Sequence, residues 1–124
     1  MAGKFLGLRT TIYKVAELDK AKQWYTEAFE TAPYFDEPFY VGFNIAGYEL
    51  GLQQEDGAAS AKTANVVTYW GVANAGLEFE RLISLGATSH EEPANVGGDI
   101  VVASVIDPWG NVIGVIYNPE FTLE

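Results

Sequence analysis

The pattern of hydrophobic and polar positions along the chain predicts one set of elements that occurs twice. In the first half, alternation over residues 5–15 is typical of a strand. A stripe at i, i+3, i+4, i+7 and i+8 then predicts a helix over 20–29, with Asp19 as its N-cap. The stripe residues are Ala21, Trp24, Tyr25, Ala28 and Phe29. The chain returns at Tyr34-Phe35, and two further strands are predicted over 39–45 and 48–53.

The second half has the same order of strand, helix, short strand, strand and strand. Its helix is predicted to begin after Asn74 as N-cap and to end near Leu85, with Gly86 in the C′ position. The apolar positions of this helix are Leu77, Phe79, Leu82 and Ile83. The other predicted elements are strands over 66–72, 88–91, 100–106 and 112–117, with a loop around Pro93, Gly97 and Gly98.

The two halves also match in residue type. Val15-Ala16 corresponds to Val72-Ala73, and GYELGL from Gly47 corresponds to GNVIGV from Gly110. We therefore predict an α+β fold of two βαβββ modules with pseudo-twofold symmetry. The chain is predicted to be a single domain over 1–124, with module one over about 5–54, a polar linker over about 55–64 and module two over about 65–118.

Composition narrows the possible partners. The chain is 48% hydrophobic and 14% aromatic, which is typical of a folded globule. A net charge of -10 disfavours nucleic acid and anionic membrane as partners, because both require a basic surface. The chain has no Cys, which excludes disulfides and thiolate chemistry. No signal-like or membrane-spanning apolar stretch is present, so we expect a cytoplasmic protein.

The most specific segment is DPWGNVIGVIYNP, residues 107–119, in which a tight turn precedes a buried strand. Together with AELDKAKQWYTEAF and GYELGLQQ, it makes the chain resemble the vicinal oxygen chelate superfamily. That superfamily includes glyoxalase I, extradiol dioxygenases, fosfomycin resistance enzymes and bleomycin resistance proteins. The resemblance implies curved mixed sheets that enclose a ligand cavity, and commonly a homodimer.

The resemblance also indicates where metal ligands would lie. Metal-dependent relatives carry one on the first and one on the last strand of each module, which corresponds here to Thr10, Gly51, Val67 and Gly114. These four residues offer at most one weak hydroxyl donor, whereas a divalent ion needs several N or O ligands. Glu49 lies two residues from the matching position. We therefore predict no metal site and no cofactor.

The candidate ligand-binding residues occupy the strands and the turn that would border the cavity. They are Thr10, Lys14, Glu49, Gly51, Gln53, Tyr69, Trp109 and Gly114. Gly51 and Gly114 either relieve crowding between curved sheets or enlarge the cavity. Lys14 is either a solvated lysine near the strand end or a cation that meets an anionic ligand. Trp109 either covers a cavity mouth or packs against the neighbouring strand.

Two functions remain open from the sequence, so whether the chain is an enzyme is left undecided. The first is metal-independent binding of a small molecule, as in bleomycin resistance proteins. The alternative is a lyase or isomerase, in which Glu49 has a raised pKa and acts as general base, or an atypical metal site operates. A Glu49 carboxylate at the cavity mouth, or paired with Lys14, is the simpler interpretation. His90 is expected to be a surface residue without a partner.

Overall fold

The protein is described by a computed structural model that covers residues 8–55 and 67–119. The chain divides into two compact units, Met1–Ala59 and Ser60–Glu124. Within the described residues, each unit contains one helix and one four-stranded mixed sheet, which confirms the predicted α+β fold of two similar modules. The predicted linker over 55–64 lies, apart from Glu55, outside the described residues. The single-domain organisation stays a prediction.

The first unit contains four strands and helix α1 in the predicted order. The elements are β1 (Thr10–Val15), α1 (Leu18–Phe29), β2 (Phe35–Glu37), β3 (Tyr40–Ile45) and β4 (Tyr48–Gln54). The strand order in the sheet is β1-β4-β3-β2. β1 runs parallel to β4, and the other neighbouring strands are antiparallel.

The second unit repeats this topology. Its elements are β5 (Thr68–Gly71), α2 (Ala75–Ser84), β6 (Thr88–Gly97), β7 (Ile100–Ile106) and β8 (Val112–Tyr117). The strand order is β5-β8-β7-β6, again with one parallel pair, β5 with β8. The strands predicted over 100–106 and 112–117 are confirmed to the residue.

Each helix buries one stripe against its own sheet. In α1 the buried residues include Ala21 and Tyr25, and the Tyr25 ring stacks on Tyr13 of β1 with centroids 5.9 Å apart. In α2 the stripe consists of Ala75, Phe79 and Leu82. Neither helix in the described parts of the chain has the length and apolar character needed to cross a membrane.

The prediction that Leu77 lies on the buried stripe of α2 is wrong, because this side chain is 64% exposed. Residues i, i+4 and i+7 from Ala75 share one face of a helix, whereas i+2 points about 200° away. Leu77 is the i+2 residue, and its side chain therefore does not pack into the core of this unit.

The helix termini agree with the sequence in α2 and differ in α1. Asn74 caps α2 by accepting a hydrogen bond from the Leu77 N–H at 3.0 Å, and Gly86 has φ +107 beyond its C-terminus. α1, however, begins at Leu18, and its N-cap Glu17 makes no side-chain cap bond. Asp19 therefore lies in the first turn, where a carboxylate interacts favourably with the helix dipole.

The predicted loop over 93–98 is largely strand. β6 extends through ten residues to Gly97 and shifts register at three points along β7. Those irregularities accommodate Pro93, which has no N–H group to donate to a neighbouring strand. β6 is also the edge strand of its sheet, so one of its sides needs no hydrogen-bond donors. Pro and Gly are therefore breaks in the ladder here, and the strand continues past them.

The turn that precedes β8 is built around the buried carboxylate of Asp107, which is 3% exposed. Its Oδ1 accepts hydrogen bonds from the backbone N–H groups of Trp109 at 2.9 Å and Asn111 at 2.7 Å. Its Oδ2 accepts a third from Asn111 Nδ2 at 3.1 Å. Gly110 closes the turn onto the Asp107 carbonyl with φ +92. One side chain therefore fixes the entry into the last strand.

We expect Asp107→Ala to lower the free energy of unfolding by about 1.5 kcal/mol, because it leaves three donors without their acceptor and water can reach some of them at the half-buried Trp109. Denaturant unfolding measures this change. Asp99→Ala removes an exposed carboxylate from the loop before β7 and should change the free energy by less than about 0.5 kcal/mol. Equal effects of the two substitutions would show that the Asp107 bonds contribute no net stability.

Candidate functional site

The first sheet has one face that points away from α1 and carries five of the predicted site residues. Cross-strand partners share a face, and the register pairs Thr10 with Glu49, Ile12 with Gly51, and Lys14 with Gln53. Tyr13, on the opposite face, packs against α1. We call the face that carries Thr10, Ile12, Lys14, Glu49, Gly51 and Gln53 the Glu49 face.

Glu49 is the centre of a cluster of hydroxyl groups on this face. Its Oε1 accepts a hydrogen bond from the Thr10 hydroxyl at 2.7 Å. Its Oε2 accepts one from the Tyr34 hydroxyl at 2.5 Å. The Tyr40 hydroxyl lies close enough to this carboxylate to help lower the pKa of Glu49. We call Thr10, Tyr34, Tyr40 and Glu49 the hydroxyl cluster.

The hydroxyl cluster holds the Glu49 carboxylate in its charged form. The hydrogen bond from Tyr34 is the main cause that lowers the pKa of Glu49 below its ordinary value, and Thr10 and Tyr40 act in the same direction. Burial and the bond to Glu49 raise the pKa of Tyr40 to about 12. The expectation that Glu49 has a raised pKa is therefore wrong, whereas its role as a general base stays a prediction. Partial burial does disfavour its charge, but the neighbouring hydroxyl groups outweigh that cost.

We expect Tyr34→Phe to raise the pKa of Glu49, since it removes the strongest donor and keeps the ring. An NMR titration that follows the Glu49 side-chain carboxyl carbon measures this pKa. Tyr48→Phe removes a hydroxyl from the opposite face of β4 and should leave that pKa unchanged.

The lowered pKa of Glu49 also makes the stability of the fold depend on pH. Because the pKa of Glu49 is lower in the folded than in the unfolded chain, the cluster stabilises the fold above the unfolded pKa. That contribution is lost as pH falls through the folded pKa. Acidification should therefore destabilise the wild type more than Tyr34→Phe, and an equal response of both proteins would contradict the assignment.

Two further aromatic rings, of Phe35 and Phe39, lie next to the hydroxyl cluster and reach solvent. Phe35 is the central ring, with centroid distances of 6.5 Å to Tyr34, 6.2 Å to Phe39 and 6.1 Å to Tyr40. Phe39 is 68% exposed and Phe35 is 39% exposed. Ile12 adds a further exposed apolar side chain on the same face. A polar centre with an apolar border is the usual composition of a small-molecule site.

Gly42 and Gly51 leave space on the sheet surface for these side chains because they have no Cβ atom. Gly51 pairs directly with Gly42 across β3 and β4. A Cβ on Gly42 would lie 2.8 Å from Glu49 Oε2, and a Cβ on Gly51 would lie 2.6 Å from Tyr40 Cζ. Gly51 therefore makes room for the Tyr40 ring, which favours the relief of crowding over an enlarged cavity at this position.

The second sheet repeats the pairing of a glycine with a tyrosine. Tyr69 and Gly114 are cross-strand partners of β5 and β8. A Cβ on Gly114 would lie 2.6 Å from Tyr69 Cδ1 and 2.9 Å from the Thr68 carbonyl oxygen. The half-buried Trp109 lies in the turn before β8, as predicted. The structure thus brings Tyr69 and Gly114 together on one face of this unit.

His90 has a partner, contrary to the expectation from the sequence. Its Nδ1 lies 2.8 Å from the hydroxyl oxygen of Ser104, which is 1% exposed. Ser104 Oγ also lies 3.4 Å from Glu91 Oε1. Ser104 is the cross-strand partner of Gly114, so this polar group occupies the position that Gly42 occupies in the first sheet.

The residues at the positions of the superfamily's metal ligands do not fit a metal ion. The Thr10 hydroxyl already donates to Glu49. Tyrosine rings cover Gly51 and Gly114, and Val67 has no donor atom. Within residues 8–55 and 67–119, no three His, Asp or Glu side chains come together as a group that could hold a metal ion.

A separate hollow lies on the other side of the first unit, between α1 and the segment that leads into β2. Its volume is about 400 Å³, and its lining includes Gln23, Thr26 and Pro33. The ion pair between Lys22 Nζ and Asp36 Oδ2, at 3.0 Å, lies in its wall. No predicted ligand residue lines this hollow, so it serves as a reference region for mapping experiments.

Sequence reasoning missed Tyr34 and Tyr40 as partners of Glu49. The signal for Tyr40 was its alternation with Gly42, because a glycine opposite another glycine leaves space that a neighbouring ring can fill. Tyr34 lies before the first residue of β2, and no periodicity assigns it to a face.

Comparison with known proteins gives a family for the chain. The profile of the Glyoxalase/Bleomycin resistance protein/Dioxygenase superfamily matches residues 7–115. No curated protein sequence matches the chain.

Solved structures share the fold at low sequence identity. A glyoxalase-related enzyme from Fulvimarina pelagi is 17% identical, with a TM-score of 0.80 over 97% of this chain and 94% of that one. A glyoxalase/bleomycin resistance protein from Albidiferax ferrireducens is 18% identical, with a TM-score of 0.73 over 90% and 98%. A protein named TioX from Micromonospora is 12% identical, with a TM-score of 0.66 over 90% and 98%. These likenesses support the fold assignment.

Proposed function

Because the chain belongs to the glyoxalase/bleomycin resistance protein/dioxygenase superfamily, we propose that it binds a small organic molecule on the Glu49 face, without a metal ion at the superfamily's ligand positions. The observation that carries this proposal is the hydroxyl cluster, which lies beside the exposed rings of Phe35 and Phe39. Fixed polar groups orient a ligand, and burial of the exposed rings beneath a ligand favours its binding.

The state of Glu49 favours binding over catalysis. A general base needs a pKa near the working pH. Here both carboxylate oxygens accept hydrogen bonds, and those bonds lower the pKa of Glu49. A carboxylate held in this way is a weaker base than a free carboxylate and carries a well-oriented negative charge at neutral pH. This arrangement suits recognition of a ligand.

Mapping of chemical shifts tests whether a ligand binds on the Glu49 face. An NMR screen of aromatic fragments of all charges should find compounds that shift the backbone amides of Gly42 and Gly51. The amide of Gln23, which lines the hollow beside α1, serves as the internal reference and should not shift. Fragments that shift only the reference region, or none that shift the Gly42–Gly51 pair, would refute a binding site on the Glu49 face.

A further inference from the structure

The hydroxyl cluster presents hydrogen-bond acceptors only. A hydroxyl group has one hydrogen, and the hydrogens of Thr10 and Tyr34 are committed to Glu49. The oxygens of these two hydroxyl groups therefore offer only lone pairs to a ligand. A ligand that meets this cluster must therefore supply the donors itself.

The cluster also carries a negative charge. Glu49 is surrounded by neutral hydroxyl groups, which orient its charge without cancelling it. Lys14 is on the same face but lies four residues along β1 from Thr10, which corresponds to about 13 Å along a strand. The chain as a whole has a net charge of -10, which attracts cations over longer distances.

The border of the cluster suits a cation with an apolar body. The exposed rings of Phe35 and Phe39 offer both apolar area and the negative faces of their π-systems. A cation within about 6 Å of such a ring is attracted to it, in addition to its attraction to a carboxylate. The acceptors, the charge and the rings thus point to the same ligand chemistry.

We propose that the ligand of the Glu49 face is a protonated amine on an aromatic body, whose N–H groups donate to the hydroxyl cluster. This inference rests on the proposed function, because it assumes that the Glu49 face is the binding site. The inference goes beyond the proposed function because it specifies that the ligand is a cation and that it donates the hydrogen bonds.

Four probes with one common body test the proposal. They are naphthalen-2-ylmethylamine, its N,N,N-trimethyl analogue, naphthalene-2-methanol and 2-naphthoate, with dissociation constants measured by NMR titration at neutral pH. We expect the amine to bind at least about tenfold more tightly than the alcohol, which corresponds to one charge-assisted hydrogen bond. The trimethyl analogue keeps the charge, loses the N–H donors and should bind about fivefold more weakly than the amine. The carboxylate should bind most weakly.

Glu49→Gln locates the cause of this preference. The substitution removes the charge, and the advantage of the amine over the alcohol should fall to less than about threefold. Glu92→Gln removes the same charge from an exposed position of β6 and should leave the advantage unchanged. Melting temperatures and amide spectra confirm that both variants are folded. Should Glu49→Gln not fold, the wild type is titrated in 20 mM and 500 mM salt, where the advantage of the amine must shrink at high salt.

Several results would overturn the inference. They are carboxylate binding as tight as that of the amine, an amine advantage that survives Glu49→Gln or high salt, and binding of none of the four probes. In each case neutral or anionic fragments that still shift the amides of Gly42 and Gly51 would leave the proposed binding site intact. Absence of any fragment on this face would instead refute the proposed function itself.

Discussion

Gly114→Ala should lower the free energy of unfolding by about 2–3 kcal/mol, or the melting temperature by about 10 °C, because overpacking a close-packed sheet costs energy. The added methyl group would lie 2.6 Å from Tyr69 Cδ1 and 2.9 Å from the Thr68 carbonyl oxygen. The tyrosine ring can move aside, but the carbonyl belongs to the backbone of the neighbouring parallel strand. The clash between the methyl group and this carbonyl can therefore be relieved only if β5 moves away from β8.

Gly51→Ala is the matched comparison. The three atoms nearest to its added methyl group all belong to the side chain of Tyr40. In a Tyr40→Ala background, we expect Gly51→Ala to cost less than about 0.5 kcal/mol, since the crowding is gone. In a Tyr69→Ala background, Gly114→Ala should keep most of its cost, because the Thr68 carbonyl stays in place. Denaturant unfolding of these two double-mutant cycles tests the difference, and full rescue of Gly114→Ala by Tyr69→Ala would contradict it.

Phe35→Ala should weaken the binding of a neutral aromatic probe, naphthalene-2-methanol, by about tenfold, because a buried aromatic contact contributes about 1–2 kcal/mol. Phe35 is the ring that contacts Tyr34, Phe39 and Tyr40. It lies on a three-residue edge strand and is 39% exposed, so its removal should leave the sheet folded. The neutral probe makes this test independent of the charge of the natural ligand.

Leu77→Ala is the control for this substitution. Leu77 is 64% exposed on α2, and its removal deletes a comparable amount of apolar surface from the second unit. The affinity of the probe should not change in this variant. A loss of affinity in Leu77→Ala equal to that in Phe35→Ala would place the probe away from the Glu49 face.

The architecture followed from the sequence wherever one physical signal dominated. Continuous β-branched runs predicted β7 and β8 to the residue, and Asn74 and Gly86 marked the ends of α2. The prediction was wrong where two signals competed. Pro93 and Gly97 are typical loop residues, but pairing with β7 keeps them in an edge strand.

The candidate site was predictable only in part. Strand alternation placed Thr10 and Lys14 on one face of β1 and Glu49 and Gly51 on one face of β4, because side chains alternate with a period of two. The pairing of β1 with β4 brings these two faces together. The environment of Glu49 depends on Tyr34 and Tyr40, which approach it from other strands and segments. Such contacts reversed the expected direction of the pKa of Glu49, and no spacing along the chain encodes them. The homodimer and the cytoplasmic location stay predictions.

Metal-independent binding on the Glu49 face is tested by titration of the protein with naphthalen-2-ylmethylamine in the presence of excess chelator, followed by the backbone amides. We expect the same dissociation constant with chelator and after addition of Zn²⁺, Ni²⁺, Mn²⁺ or Fe²⁺, and amide shifts centred on Gly42 and Gly51. Binding that requires one of these ions, or shifts confined to other parts of the chain, would contradict it.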